Sequence, residues 1–362
     1  CDICSQVLAY PRRRPVHVIS RPSIGFAFHS YDRREPAARN SFAGSTRNLS
    51  CADQPCTTTP IATRFLMRLT TDHIDRARDA LRNANLWRDG APLDLSLASS
   101  ELHSNVTIKA RCDAGCFAVR ALKQRDELFI DRDDERRALS LAWRIGIGAE
   151  PVHMDASNDV LTTRWINDAT PLSADLLARD RTLVPRLATT LAQFHRAGDQ
   201  LTREREPAMV LATYQAQLAR GTSLWPSFVD EAVQGALAAL QRLRGDLTPC
   251  HGDPAPSNFL NAPGGLRLID WEYACMSDPA WDLGYVASEA AFDRAEIELL
   301  ALAYDDAAMT TARVAAASLV ASAVSLVWIA LQARASSSPA TSAAIATRRE
   351  TLTRIASLRT GF

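Results

Sequence analysis

The segment from 251 to 272, HGDPAPSNFLNAPGGLRLIDWE, constrains the fold of this chain more than any other stretch. Its prolines stiffen a loop between Asp253 and Asn258, and the Ala-Pro-Gly-Gly run that follows predicts the turn of a β-hairpin. Because Asn258 and Asp270 are equally distant from the first glycine of that turn, we expect them to face one another across an antiparallel ladder. The fold must therefore present several polar side chains at one point.

The oxygen-bearing side chains of this segment predict a metal site with a base beside it. Asn258 and Asp270 offer hard oxygen ligands of the kind that Mg²⁺ prefers, and Mg²⁺ is usually held by few protein oxygens together with phosphates. Asp253 is placed to accept the proton of an attacking hydroxyl. A base, an asparagine five residues later and an aspartate after the next strand match the order of groups that kinases use for phosphoryl transfer.

An upstream hairpin and helix predict a buried ion pair. Apolar residues alternate with polar ones from 106 to 121, which indicates two strands joined at Asp113-Ala114-Gly115. A helix is predicted over 133–145, and Glu135 lies on its inward stripe, so its carboxylate needs a nearby cation. Arg120 is on the face of its strand opposite the apolar residues, and we expect it to be that cation.

The motifs HGDPAPSNFL and LIDWEYACMSDPAWDLG resemble those of the choline/ethanolamine kinase family, within the wider aminoglycoside phosphotransferase group. The resemblance extends over roughly residues 100 to 360 and is strongest from 250 to 290. It implies an α+β, two-lobed protein-kinase-like fold, with a small β-rich N-terminal lobe and a larger, mostly helical C-terminal lobe. It also implies that the protein uses ATP and Mg²⁺, with Asp253 as catalytic base and Asn258 and Asp270 as metal ligands.

The resemblance implies a nucleotide-binding set in the first lobe. Arg120 would contact the nucleotide phosphates, supported by Glu135, in the role that a strand lysine has in kinases. The pair Ser104 and Asn105 resembles the end of the family's glycine-rich phosphate loop. The pair Glu101-Leu102 stands where that loop usually has glycines, so the sequence departs from the family where the backbone normally cradles ATP.

A pocket for a small cationic alcohol is predicted from aromatic and acidic residues near these motifs. Aromatic faces and carboxylates hold ammonium groups, and each cation–π contact contributes about 0.5 to 2 kcal/mol. Ser325 stands where choline kinases often carry a second tryptophan, which favours a smaller or different amino alcohol. The residues predicted to line the pocket are Glu272, Trp281, Asp282, Glu289 and Trp328.

The chain is predicted to contain a disordered extension or mis-started segment over 1–66, a nucleotide-binding lobe over 67–166, and a helical lobe with the catalytic loop and pocket over 167–362. Acidic and basic residues balance at 41 each, so no net charge favours nucleic acid or an anionic membrane. The apolar run from 314 to 333 is rich in alanine and serine, and we interpret it as a buried helix, not a membrane span. Without a recognisable secretory signal, a cytoplasmic location is predicted.

The sequence therefore predicts an ATP-dependent kinase that transfers the γ-phosphoryl group to a small amino alcohol, with choline or ethanolamine as the leading acceptor. A kinase for an aminoglycoside, thiamine or another hydroxylated amine is the alternative among enzymes, because such kinases share the Asp-Asn-Asp site. A catalytically silent pseudokinase that binds a ligand is the alternative from another class, and the missing glycines at 101 and 102 keep it open. A monomer and a homodimer are both compatible with the sequence.

Overall fold

An antiparallel sheet and a set of helices make up the computed structural model, which describes residues 69–98, 106–121, 129–155, 160–219, 222–335 and 339–358. These residues fall in one compact unit, and the predicted division into two domains at residue 166 stays a prediction. The predicted extension over 1–66 lies outside the described residues. So do Ser104 and Asn105, the predicted end of the phosphate loop.

The first part of the chain forms a five-stranded antiparallel sheet. Its strands are β1 (Asp94–Leu97), β2 (Val106–Cys112), β3 (Gly115–Ala121), β4 (Pro151–Asp155) and β5 (Val160–Arg164). They lie side by side in the order β1-β2-β3-β5-β4, and the predicted hairpin is the β2–β3 pair. Helix α1 (Thr71–Asn83) precedes the sheet in the chain, and α2 (Arg132–Arg144), the helix predicted over 133–145, lies between β3 and β4.

Alternation in the β2–β3 hairpin divides the sheet into two faces with different roles. The apolar set packs with α1 into a small core of Ala77, Ala80, Leu81, Ile108, Ala110, Phe117, Val119 and Val160. A fully buried side chain of this kind contributes about 1.5–3 kcal/mol relative to leaving it exposed. Because strand side chains alternate, Arg120 lies on the other face, where it meets α2.

The rest of the chain is mostly helical. The helices are α3 (Ala174–Arg179), α4 (Leu183–His195), α5 (Pro207–Gln215), α6 (Ser227–Arg242), α7 (Ala280–Glu289), α8 (Arg294–Tyr304), α9 (Thr311–Ala335) and α10 (Pro339–Leu358). Short strands lie between them: β6 (Thr170–Pro171), β7 (Thr248–Cys250), β8 (Phe259–Ala262), β9 (Gly265–Leu268) and β10 (Cys275–Ser277). β6, β8 and β9 form a three-stranded sheet, and β7 pairs with β10. This is the α+β arrangement that the sequence predicted.

The apolar run that the sequence placed inside the protein is α9. Among the described residues, its segment Thr311–Ala333 is the one helix long and apolar enough to cross a membrane by length and composition, and 78% of its most apolar window is buried. α7 crosses α9 in close contact, because a Cβ on Gly284 would come within 2.3 Å of the Ala317 side chain. The small residues of this run therefore let two helices approach closely.

The register of the β8–β9 hairpin corrects one expectation. The turn has two residues between Ala262 and Gly265, so Phe259 pairs with Leu268, and the carbonyl of Asn258 accepts a hydrogen bond from Ile269 N–H at 3.0 Å. Asn258 is thus opposite residue 269, not 270. Asp270 nevertheless reaches the same cavity as Asn258, since its φ of +70° lies in the left-handed region and redirects the chain beyond the ladder.

Candidate active site

The loop that carries Asp253 begins where β7 pairs with β10. Cys250 lies opposite Cys275 in that pair, and the chain turns sharply at the next residues. Gly252 has a φ of +85°, and a Cβ there would come within 2.2 Å of the Tyr273 carbonyl oxygen. Only glycine fits this position without movement of the backbone. The sharp turn brings Asp253 to the edge of a cavity.

Asp282 holds this loop in position through its buried carboxylate. Its carboxylate accepts hydrogen bonds from the backbone N–H groups of His251, at 2.7 Å, and Gly252, at 2.9 Å. His195 contacts the same carboxylate at 3.0 Å and Tyr304 at 2.9 Å. Burial alone would raise the pKa of Asp282, but the His195 contact and the N–H donors outweigh it, so the pKa lies below its ordinary value. The fully buried Asp282 therefore stays charged and fixes the loop.

His251 joins the loop to the β8–β9 hairpin. Its Nε2 lies 2.9 Å from the carbonyl oxygen of Ile269, which can only accept, so Nε2 carries the proton. Nδ1 then accepts a hydrogen bond from the N–H of Asp253 at 3.3 Å. Burial lowers the pKa of His251, which favours this neutral form. Because both ring nitrogens are engaged, His251 has a structural role in the loop.

The electrostatic environment of Asp253 suits a base. Burial raises the pKa of its carboxyl well above the ordinary value, and the nearby carboxylates of Asp270, Glu289 and Glu272 raise it further. The hydroxyl of Tyr285 donates a hydrogen bond to Asp253 and opposes part of this rise. A carboxylate with a raised pKa accepts a proton from a hydroxyl more readily than an ordinary one.

Asn258 and Asp270 have the chemistry of a Mg²⁺ site. The amide nitrogen of Asn258 donates to the backbone carbonyl of Asp253 at 2.9 Å, which leaves the amide oxygen available as a ligand. Asp270 is partly exposed at the cavity and contributes a carboxylate. Two hard oxygens next to an open cavity fit a cation that completes its coordination with phosphate and water.

The predicted ion pair between Arg120 and Glu135 is present, and it is part of a longer series of connected ion pairs. Arg120 contacts Glu135 on one side and Asp270 on the other. Glu135 also accepts from Arg132 at 2.7 Å, and Arg132 lies 3.5 Å from Glu272. The series connects the sheet and α2 to the residues that follow β9. A guanidinium beside a possible metal ligand is positioned to contact phosphates, which remains a prediction for Arg120.

The Glu135→Gln variant is expected to lose about 2 kcal/mol of stability, because a hydrogen bond to a charged group is replaced by a weaker one. Its affinity for ATP should fall as well, since Arg120 loses one of the two carboxylates that orient it. Asp133→Asn is the matched control, because its pair with Arg136 on the same helix is 70% and 60% exposed and should contribute less than about 1 kcal/mol. Urea unfolding and nucleotide titration measure both effects, and equal losses in the two variants would contradict the prediction.

A cavity of about 250 Å³ opens beside Asp253 on the side away from the sheet. Its wall is largely aromatic, with Phe129, Tyr214, Tyr273, Trp281, Tyr285 and Trp328. Asp253, Asn258 and Asp270 all line it, so the three residues meet at one cavity. We call this space the acceptor cavity, after the alcohol that the sequence predicts it to bind.

Three of the five residues predicted to bind substrate line the acceptor cavity: Trp281, Glu289 and Trp328. The other two do not. Asp282 lies under the loop that carries Asp253, where backbone N–H groups and His195 occupy its carboxylate. Glu272 is buried beside Arg132. We therefore reassign both residues to support of the site, because adjacency to a motif in sequence does not place a side chain in the same cavity.

Several residues of the acceptor cavity were missed from the sequence. Tyr285 donates a hydrogen bond to Asp253, and Ser325, which lies next to the Tyr285 hydroxyl, donates to Glu289 at 2.7 Å. Arg348, on α10, forms an ion pair with Glu289. The sequence distinguishes position 325 only by the absence of a tryptophan, and nothing in the pattern around Arg348 distinguishes it from the other arginines of α10.

A second cavity, of about 410 Å³, lies between the five-stranded sheet and the β8–β9 hairpin. Its wall includes Ala118 and Thr163 of the sheet, the Trp165-Ile166 segment that follows β5, and Leu260 of the hairpin. Asn258 and Asp270 line this cavity as well as the acceptor cavity. The two possible metal ligands therefore lie where the two spaces meet.

The chain matches the model of a known protein family. The match to "Phosphotransferase enzyme family" covers residues 104–317, which is more than half of the chain. Among curated proteins, the chain is 24% identical over 192 residues to "Protein LicA" from Haemophilus influenzae. That alignment covers 52% of this chain and 56% of the relative, so the chain spans little more than half of that relative's length.

Solved structures share the fold. A choline/ethanolamine kinase family protein from Mesorhizobium loti superposes with a TM-score of 0.65 at 23% identity, covering 78% of this chain and 94% of that one. The choline kinase LicA from Streptococcus pneumoniae gives a TM-score of 0.62 at 21% identity, covering 73% and 93%. A macrolide 2′-phosphotransferase from Brachybacterium faecium gives 0.52 at 18% identity, covering 77% and 98%. The small antiparallel sheet followed by a helical part is thus the kinase-like fold that the sequence predicted.

Proposed function

The chain belongs to the phosphotransferase enzyme family, and we propose on that basis that it transfers the γ-phosphoryl group of ATP to the hydroxyl of a small amino alcohol. The observation that carries the proposal is the position of Asn258 and Asp270 at the junction of two cavities. A nucleotide in the cavity beside the sheet and an alcohol in the acceptor cavity would meet at these two side chains. Asp253 lies on the acceptor side of that junction.

The reaction follows from this arrangement. The alcohol oxygen attacks the γ-phosphorus, its proton passes to the Asp253 carboxylate, and the bond between the γ-phosphorus and the bridging oxygen breaks to release ADP. Mg²⁺, held by Asn258 and Asp270, would neutralise charge on the phosphates. The raised pKa of Asp253 favours acceptance of the proton, and the fixed loop keeps the base in position.

The aromatic wall of the acceptor cavity supports an amino alcohol as the acceptor. Trp281, Tyr285 and Trp328 line the cavity, and each contact of a cationic group with the face of such a ring is favourable by about 0.5 to 2 kcal/mol. The likeness to choline/ethanolamine kinase family proteins agrees with this class. Choline and ethanolamine are therefore the first acceptors to test, with ATP as phosphoryl donor.

The test is transfer of labelled phosphate from ATP to a panel of choline, ethanolamine, other amino alcohols, thiamine and aminoglycosides. A labelled amino alcohol would support the proposal, whereas labelling of only an aminoglycoside or thiamine would move the protein to another substrate class. If no acceptor is labelled while ATP still stabilises the protein against heat, the ligand-binding pseudokinase replaces the kinase.

Metal dependence gives a prediction that does not need the acceptor. ATP with Mg²⁺ should raise the melting temperature more than ATP with a chelator, because the metal would connect the phosphates to Asn258 and Asp270. A ligand at a hundred times its Kd adds about 2.7 kcal/mol to stability. The Asp270→Asn variant should lose most of the Mg²⁺-dependent part. Asp246→Asn, which changes an exposed aspartate outside both cavities, should keep it. Equal shifts with and without Mg²⁺ in the unchanged protein would remove Asn258 and Asp270 as metal ligands.

A further inference from the structure

Arginines already pair with most carboxylates of the acceptor cavity, which is not what a site for a simple cation needs. Three of the carboxylates in and behind its wall share one property, an arginine partner: Asp270 with Arg120, Glu272 with Arg132, and Glu289 with Arg348. Ser325 also donates to Glu289, so this carboxylate already has two partners. An ammonium group entering the cavity would therefore compete with arginines for these charges.

Arg205 differs from these three arginines, because it has no carboxylate partner among the described residues. It is 7% exposed, it lines the acceptor cavity with Asp253, and none of the carboxylates in the described part of the chain forms an ion pair with it. Its guanidinium donates to the backbone carbonyl of Phe129 and lies over the rings of Phe129 and Tyr273, with its carbon 5.1 Å and 5.6 Å from their centroids. Two aromatic rings and one carbonyl therefore surround the guanidinium.

A buried guanidinium without a carboxylate partner favours an anionic ligand. Arginine has several N–H donors, and the Phe129 carbonyl accepts from only one nitrogen, Nη2. Contact with aromatic rings offsets part of the cost of burying the charge, but a carboxylate or phosphate offsets more and matches the forked geometry of the donors. A positive charge in a cavity wall also disfavours an acceptor whose only charge is positive.

We propose that the acceptor alcohol carries a carboxylate or a comparable anionic group that binds Arg205, together with the hydroxyl that Asp253 deprotonates. Such an acceptor is zwitterionic when it also has an amine, and its ammonium lies against Trp281, Tyr285 and Trp328. The proposal rests on the proposed function, because it names the substrate class of the same site. It separates this protein from kinases whose acceptors are purely cationic.

The experiment compares acceptors that differ by one carboxylate. L-serine carries the amine and hydroxyl of ethanolamine with one added carboxylate, and L-homoserine has the same relation to 3-aminopropanol. The unchanged protein should phosphorylate the carboxylated member of each pair with a kcat/KM at least about tenfold higher, as expected for one charge-assisted contact. Choline should be among the poorest acceptors in the panel.

Substitution of Arg205 tests whether this residue causes the preference. Arg205→Gln should reduce the ratio of kcat/KM within each pair by about tenfold or more, mainly through a higher KM for the carboxylated acceptor. Arg205→Lys keeps the charge and should retain part of the ratio. Arg244→Gln is the control, because Arg244 is partly exposed, pairs with Glu206 and does not line the acceptor cavity. It should leave the ratio unchanged.

The possible outcomes separate the two proposals. Transfer to ethanolamine or choline in preference to their carboxylated counterparts overturns this inference and leaves the proposed function intact. An unchanged ratio in Arg205→Gln also overturns it, because Arg205 would then only brace Phe129. If that variant does not fold, Arg205→Lys decides: a ratio clearly below that of the unchanged protein supports the inference, because lysine lacks the forked donors of arginine, and an equal ratio overturns it. If the unchanged protein labels no alcohol at all, the proposed function and this inference fall together.

Discussion

The Asp253→Asn variant is expected to lose phosphoryl transfer by roughly 10²- to 10⁴-fold, which is the usual contribution of a positioned general base. Asparagine has nearly the shape of aspartate and keeps the backbone hydrogen bonds of the loop, which come from Asp282 and His251 and not from the Asp253 side chain. The variant should therefore fold and bind ATP with Mg²⁺ like the unchanged protein. The loss should appear in kcat and not in the KM for ATP.

Phosphoryl transfer and ATP binding should respond differently in this variant because of the position of Asp253. Asp253 lines the acceptor cavity but not the cavity beside the sheet, where we propose that the nucleotide binds, so its carboxylate should not be needed to hold the nucleotide. Asp246→Asn serves as the control, because it removes one negative charge from an exposed residue that is close to Asp253 in the chain. Single-turnover transfer and nucleotide titration give the two measurements. Transfer at the normal rate by Asp253→Asn would show that another group accepts the proton.

The Trp271→Ala variant is expected to lose about 3–5 kcal/mol of stability, the range found for removal of a large buried aromatic side chain. Trp271 is 2% exposed and packs between Phe194 of α4, at 4.4 Å between ring centroids, and His251 of the catalytic loop, at 4.6 Å. Its indole N–H also donates to the Leu268 carbonyl at 3.2 Å. The cavity left by alanine would remove the support of His251 as well as core contacts.

Trp143→Ala gives the matched comparison. Trp143 lies on α2 with 48% of its surface exposed, so the same substitution there should change stability by less than about 1 kcal/mol. Chemical denaturation of both variants measures the difference, and the midpoint of unfolding should fall clearly only for Trp271→Ala. Similar midpoints in the two variants would mean that Trp271 does not anchor the loop to α4.

Local sequence patterns predicted the parts of the site that depend on local geometry. Alternation placed Arg120 on the face of β3 away from the apolar core, and the helical period placed Glu135 on the inner side of α2. Both are properties of a single element, and their meeting follows once α2 covers the sheet. The β8–β9 hairpin was also predicted, but its register was wrong by one residue, because the count assumed a turn centred on a glycine.

Contacts between distant segments were not predictable in this way. Asp282 was expected among substrate-binding residues, yet the pairing of β7 with β10 and the close crossing of α7 and α9 put it under the loop. Arg205 and Arg348 come from segments without a motif, and only the packed structure brings them to the cavity. The sequence contains their charges but not the three-dimensional neighbours that give those charges a role.

The contact between Glu289 and Arg348 has a practical consequence for anyone who handles this protein. Arg348 lies close to the carboxyl end of the chain, in the last described helix, and yet it balances a carboxylate in the wall of the acceptor cavity. A version shortened before this helix, by design or by a protease, would present Glu289 without that partner. Such a fragment would attract cations more strongly than the intact chain, and acceptor preferences measured on it would describe the fragment alone.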